Sequence, residues 1–156
     1  MMGAKEEKLD SPLDKYTTLL ASMTTGGIGA CVAVTESTTA AVFEAYVHKA
    51  LEPALRPGQV VVLDNLMVHK GDRVGGPVEE RGCELLFLPP YSPDLNPIEE
   101  AFAKVQGLLR LYGERTQKAL IEAMGRALDA VTARDARGFF GHCGYRSTAQ
   151  SLCQLL

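Results

Sequence analysis

Two short apolar runs, Gln59–Asp64 (QVVVLD) and Cys83–Leu88 (CELLFL), decide the fold class of this chain. Both are apolar almost throughout, and the first is rich in β-branched valine, which is typical of strands buried on both faces. The connector, residues 65–82, carries a weak helical signal over 70–82 and is long enough for a parallel crossover. With the helical patterns on either side, these runs predict an α/β fold.

The segment before these runs predicts a β-hairpin and an amphipathic helix. Thr17–Thr24 and Ile28–Thr35 have strand character, and Thr25-Gly26-Gly27 between them has the composition of a hairpin turn. Thr38-Thr39 can cap a helix whose apolar residues recur at three-to-four spacing up to Pro53.

Two further helices are predicted downstream, from Pro97 to about Leu111 and from about Thr116 to Val131. No internal repeat or linker divides the chain. We therefore expect a flexible polar leader over 1–16, one domain over 17–145 and a C-terminal tail over 146–156.

The composition fits one cytoplasmic domain. The chain has 156 residues, 46% of them hydrophobic, which is enough apolar material for a core. No run approaches the roughly 18 consecutive apolar residues of a membrane-spanning helix, and the start lacks the apolar core of a signal peptide. The four cysteines lack the spacing of a zinc site or a disulfide framework.

Positive charge is concentrated in the last third of the chain, although the net charge is -3. Residues 101–156 hold eight Lys or Arg against four Asp or Glu, whereas residues 1–100 hold eight against fifteen. This asymmetry indicates either a surface that contacts nucleic-acid phosphates or an ordinary solvated helix face.

Asp64 is the first candidate site residue. It ends a buried strand and so projects at the carboxyl edge of the sheet, where α/β proteins place their sites. The alternative is that Asp64 and Asn65 only open a turn or cap a helix.

Glu99 is the second candidate, because a proline-rich loop, Pro89–Pro97, fixes where it lies. Asn96 precedes a proline and can serve as the N-cap, with Pro97 at the first helical position and Glu99 at the third. This arrangement also supplies an alternative, a capping box in which Glu99 only reaches back to the N-cap amide. Glu100 is a weaker candidate and is expected to be solvated.

Two motifs taken together resemble a known family. LDNLMVHK (63–70) and LPPYSPDLNPIEEAF (88–102), with thirty-four residues between Asp64 and Glu99, are similar to the mariner-type insertion-sequence superfamily of DDE transposases. The similarity extends over about 17–145. It implies a ribonuclease H-like fold, a mixed sheet flanked by helices, in which Asp64 and Glu99 are the second and third catalytic acids.

The resemblance also implies a chemistry and partners. Asp64 and Glu99 are expected to bind Mg²⁺ or Mn²⁺ ions that drive DNA strand cleavage and strand transfer, with transposon ends and target DNA as partners. Asn65, His69 and Lys70, in a family-like DNxxxHK pattern, are expected to contact a phosphate or support the metal ligands.

The sequence departs from the family at its first acid, an Asp on the first central strand. Asp10 and Asp14 are the upstream aspartates, and neither follows a buried apolar run. We therefore expect an N-terminally truncated copy that lacks this strand, with two of three carboxylates and an incomplete two-ion site. Because the first catalytic Asp is missing, we expect this chain alone to be inactive as a Mg²⁺-dependent endonuclease. The gap in the sheet must close, fill with another segment, or pair with a second chain that supplies the missing part.

Two other functions remain open at this stage. A catalytically inactive remnant would act as a DNA-binding or transposase-interacting module through its cationic last third, including Arg110, Arg115 and Lys118. A small-ligand domain built on Gly26-Gly27-Ile28-Gly29 is disfavoured, because those glycines link two strands and do not open a helix.

Overall fold

A five-stranded mixed sheet organises the protein, whose computed structural model describes residues 18–34, 39–64, 71–145 and 149–155. The strands are β1 (Thr18–Thr24), β2 (Gly27–Val34), β3 (Val60–Leu63), β4 (Glu84–Phe87) and β5 (Ala149–Leu155). The helices are α1 (Ala40–Tyr46), α2 (Gly71–Glu80), α3 (Pro97–Tyr112), α4 (Gln117–Asp129) and α5 (Ala133–His142). A π-helical turn, Val47–Leu51, and a short turn, Glu52–Ala54, continue α1.

The strand order is β2-β1-β5-β3-β4. β1 and β2 form the predicted antiparallel hairpin, and β3 and β4 form the predicted parallel pair, with Val60 opposite Glu84 and Leu63 opposite Phe87. The mixed α/β architecture predicted from the sequence is thus confirmed.

The centre of the sheet is occupied by β5, from the segment that the sequence analysis assigned to a C-terminal tail. β5 pairs antiparallel with β1, from Leu19↔Leu155 to Met23↔Ser151, and parallel with β3, from Val60↔Ala149 to Leu63↔Leu152. The gap that we expected between β1 and β3 is therefore filled by another segment of the same chain, and neither strand is left with an open edge on that side.

Helices cover both faces of this sheet. Alternate residues of β1 point to opposite sides of the sheet, so β1 contributes to the core on each face. Leu19, Ala21 and Met23 join a core built with α3, α4 and α5, in which Phe102 and Phe140 are the largest buried side chains. Leu20 joins a second core on the other face.

The second core is built from α1, the π-helical turn, β3 and α2. Its buried members include Phe43, Tyr46, Leu51, Val61 and Val78. The apolar residues whose spacing predicted the α1 helix are the ones that pack into this core. In the described parts of the chain, no helix is long and apolar enough to span a bilayer.

Local signals set the helix boundaries. The Oγ1 of Thr39 accepts a hydrogen bond from the amide of Val42 at 3.2 Å, and that of Thr116 accepts one from Ala119 at 3.2 Å, as N-caps do. Helix α5 was not predicted, although Thr132 and Asp135 form a complete capping box at its start.

Candidate active site

Asp64 lies at the carboxyl end of β3, directly after the buried Leu63, and its side chain is half-buried. The amide of Leu88 donates to the carbonyl of Leu63 at 2.8 Å, which extends the β3–β4 pairing to the last residue before the proline-rich loop. Because parallel strands end at the same edge of a sheet, Asp64 and the start of this loop are neighbours.

The loop that follows β4 is braced by its own backbone. Pro93–Leu95 form one turn of 3₁₀ helix, in which the amide of Leu95 donates to Ser92 at 3.1 Å and that of Asn96 donates to Pro93 at 3.1 Å. Asn96 is buried, with 2% of its surface exposed. The loop therefore delivers the start of α3 to a fixed place near the β3 end.

Helix α3 begins as predicted, with Asn96 as an extended N-cap and Pro97 as the first helical residue. The Asn96 half of the capping box considered as an alternative for Glu99 is not formed. The Asn96 side chain makes no capping hydrogen bond, and the Asn96 amide already donates to the carbonyl of Pro93. The 3₁₀ turn of the proline-rich loop thus holds the Asn96 backbone at the start of α3.

Asp64 and Glu99 line one pocket of about 350 Å³. Its remaining walls are the 88–93 segment of the loop and Asn96. Two acids that have thirty-four residues between them in the sequence are thereby brought to the same cavity, one from a strand end and one from a first helical turn.

A comparison with protein-family models matches residues 2–121 to the DDE superfamily endonuclease family, a match that includes both acids and the pocket. The chain belongs to the DDE superfamily endonuclease family. No curated protein matches it. The mixed sheet between two helical layers agrees with the ribonuclease H-like fold of such a DDE transposase-type domain.

The two acids of this DDE domain suit a hard divalent cation. Mg²⁺ prefers oxygen ligands, keeps several of its waters and is bound in many enzymes through only one or two carboxylates together with substrate phosphates. Among the described residues, no cluster of three His, Cys, Asp or Glu could enclose a metal. An ion held by the two pocket acids would therefore take further ligands from water or from substrate phosphates.

Strand β5 adds no acid to this edge of the sheet. It runs parallel to β3, and Leu152 pairs with Leu63, the residue before Asp64. The sequence of the strand, AQSLCQL, contains neither Asp nor Glu. The position expected for the first catalytic acid is thus filled by a strand without a carboxylate.

Glu100, the weaker candidate that we expected to be solvated, does not line this pocket. Its Oε2 lies 3.1 Å from the Nδ1 of His142 on α5. Burial, followed by the charges of Glu100 and Asp94, raises the pKa of the Cys143 thiol. Glu100 thus belongs to the α3–α5 contact and provides an internal comparison for Glu99.

The other predicted site residues, Asn65, His69 and Lys70, lie outside the described residues, as do Asp10 and Asp14. Sequence reasoning also missed one residue of the pocket, Tyr91. Its signal in the sequence is an aromatic residue between prolines, in a loop where no apolar side chain is needed for folding.

Proposed function

We propose that this domain is the catalytic part of a transposase, in which Asp64 and Glu99 hold a divalent cation for DNA strand cleavage and strand transfer. Their meeting in one pocket supports this proposal.

Each element of the pocket has a task in this proposal. Asp64 presents carboxylate oxygens from a strand end whose backbone is fixed by pairing with β4, and Glu99 presents its own from a helix whose start is fixed by Pro97. A bound Mg²⁺ or Mn²⁺ would supply activation of a water or a DNA 3′-hydroxyl and stabilisation of the leaving oxygen. Asn65, His69 and Lys70 are proposed to contact the DNA phosphate or to orient the two acids.

The far end of α3 offers a second contact region for DNA. Arg110, Arg115 and Lys118 are exposed around the α3–α4 junction, and Arg110 lies eleven residues from Glu99, roughly 16 Å along the helix axis. A duplex that enters the pocket and follows α3 would therefore meet these cations about five base pairs away, at 3.4 Å per pair.

A second candidate function, an inactive module that binds DNA or another transposase, is favoured by β5. A strand without a carboxylate fills the central position, so a complete site would need a ligand from another source. A second chain is one such source. If two chains must associate to complete the site, nicking activity would rise more steeply than in proportion to protein concentration.

The deciding experiment compares carboxylates that differ in their orientation. Mg²⁺ and Mn²⁺ are titrated by calorimetry into the wild type, Asp64→Asn, Glu99→Gln and the control Glu100→Gln, and nicking of supercoiled DNA is assayed in the same samples. We expect metal binding, and whatever nicking the wild type shows, to be lost in the first two variants and retained in Glu100→Gln, whose side chain contacts His142.

Equal metal binding in the wild type, Asp64→Asn and Glu99→Gln would contradict the catalytic proposal. If those proteins also bound DNA in EDTA, and if Arg110→Ala or Lys118→Ala weakened that binding, the inactive DNA-binding module would be the better description. Each lost phosphate contact should lower the salt dependence of binding by about one unit of slope.

A further inference from the structure

Tyr91 combines full exposure with an unfavourable backbone. Its relative exposure is 102%, the highest of any large apolar side chain among the described residues. Its φ of 56° is also the only positive value for a non-glycine residue in those parts of the chain. A tyrosine gains stability by burial and loses it in this left-handed region, so neither property helps the domain to fold.

The loop, and not the ring, maintains this conformation. Pro90 and Pro93 restrict the chain on both sides, and the Oγ of Ser92 donates to the carbonyl of Pro90 at 3.2 Å, which closes the turn around Tyr91. A smaller residue at position 91 would leave all these contacts in place. The turn therefore holds the Tyr91 ring in place, and the ring does not stabilise the turn.

The ring is carried at the edge of the pocket that contains Asp64 and Glu99. Strained residues cluster where the surrounding structure holds them for a task. An exposed aromatic face beside a site for nucleic-acid chemistry is suited to stacking on an unpaired base, because every base has a π-face. A paired base within a duplex would not present that face.

We propose that Tyr91 is a stacking platform for an unpaired base next to the phosphodiester that the pocket receives. This inference rests on the proposed function, since it requires DNA in the pocket. It assigns a positioning role, in which the ring fixes the nucleotide beside the scissile bond and takes no part in the chemistry. The phenol hydroxyl is not required, so phenylalanine should replace tyrosine.

The test uses a short duplex with a single-stranded overhang that carries 2-aminopurine, whose fluorescence falls on stacking, and a blunt duplex of the same sequence. Binding is measured in EDTA, so that no strand is cut. We expect Tyr91→Ala to bind the overhang about tenfold more weakly and to lose the quenching. Tyr91→Phe should retain both, and the blunt duplex should not distinguish the variants.

Leu111→Ala is the matched control, because Leu111 is 82% exposed at the other end of α3. It should bind like the wild type. Equal affinity and equal quenching for Tyr91→Ala and the wild type would overturn the proposal, as would a loss in Tyr91→Phe as large as that in Tyr91→Ala. A wild type that does not prefer the overhang would overturn it as well.

These outcomes separate the inference from the proposed catalytic function. If the overhang effect depends on Tyr91 but no variant nicks DNA, the stacking role stands and cleavage by this chain is refuted. If nicking depends on Asp64 and Glu99 but the overhang effect does not depend on Tyr91, cleavage stands and the stacking role is refuted.

Discussion

Replacing Tyr91 by glycine should stabilise the protein, although the change deletes a large side chain. The ring is fully exposed and lies outside both cores, so its removal forfeits little burial. The gain comes from the backbone, because a side chain in the left-handed region costs about 1–2 kcal/mol, whereas glycine adopts a φ of 56° without strain.

The net magnitude follows from a second, opposing effect. Glycine loses more conformational entropy on folding, which costs about 0.5–1 kcal/mol relative to alanine. Subtracting this from the relieved strain leaves an expected gain of about 0.5–1 kcal/mol for Tyr91→Gly. Tyr91→Ala should be close to neutral, because alanine keeps the strain.

Gly113 provides a calibration in the opposite direction. It is the C-cap of α3, has a φ of 62°, and a Cβ added there would have no atom within 4 Å. Gly113→Ala therefore measures the same backbone preference without a clash, and it should destabilise the protein by about 0.5–1 kcal/mol.

Urea unfolding of the wild type, Tyr91→Gly, Tyr91→Ala and Gly113→Ala is the assay, with a common m-value as the check that only stability has changed. If Gly113→Ala is destabilised as expected and Tyr91→Gly is destabilised too, then the ring of Tyr91 contributes to folding. That result would refute the reasoning and would also remove the basis for a stacking platform.

Three other changes test the fold. Phe102→Ala should cost about 3–5 kcal/mol in urea unfolding because the ring is 1% exposed in the core, whereas Leu111→Ala should change stability by less than about 0.5 kcal/mol. A hydrogen bond from Lys104 lowers the pKa of Asp135 in the folded protein. The ionised Asp135 carboxylate therefore stabilises the fold above its unfolded pKa near 3.8, and this stabilisation is lost as the pH falls through the lower folded pKa. The urea midpoints of the wild type and Asp135→Asn should converge in acid. Deletion of 149–156 should lower the urea midpoint and produce concentration-dependent association in light scattering, because it opens edges on β1 and β3.

The sequence predicted those elements whose signals are local. The valine-rich β3 run, the glycine turn of the hairpin and the Asn96-Pro97 helix start each specify a structure within a few residues, and their observed bounds differ from the predicted ones by a residue or two. Helix α5 had an equally local signal in Thr132 and Asp135, which the sequence analysis did not use.

The place of β5 could not be read from its own residues. A strand at the centre of a sheet covered on both faces is normally a continuous apolar run, and AQSLCQL contains two glutamines and a serine. Its position is set by β1 and β3, which would otherwise present unpaired backbone groups to each other across a gap. Backbone pairing of this long-range kind does not require a periodic pattern of apolar residues in β5, so the β5 sequence does not reveal it.

The candidate site divides in the same way. The strand end at Asp64 and the helix start at Glu99 were predicted separately, and each had a structural explanation that was at least as good as a functional one. The structure supplies what the sequence could not, namely that both residues line one cavity.

The central position of the sheet, which β5 occupies, matters both for the stability of the fold and for the chemistry of the site. A strand can meet one of these requirements without meeting the other. Closing the gap between β1 and β3 requires only backbone pairing, which any strand of sufficient length supplies. Completing the three-carboxylate site that the family resemblance implies would require an acid from that strand or from another segment. β5 meets the first demand and, with no Asp or Glu in its sequence, does not meet the second. A stable fold is therefore expected whether or not the chain cleaves DNA, so catalytic loss would be invisible in unfolding experiments and has to be sought in metal binding.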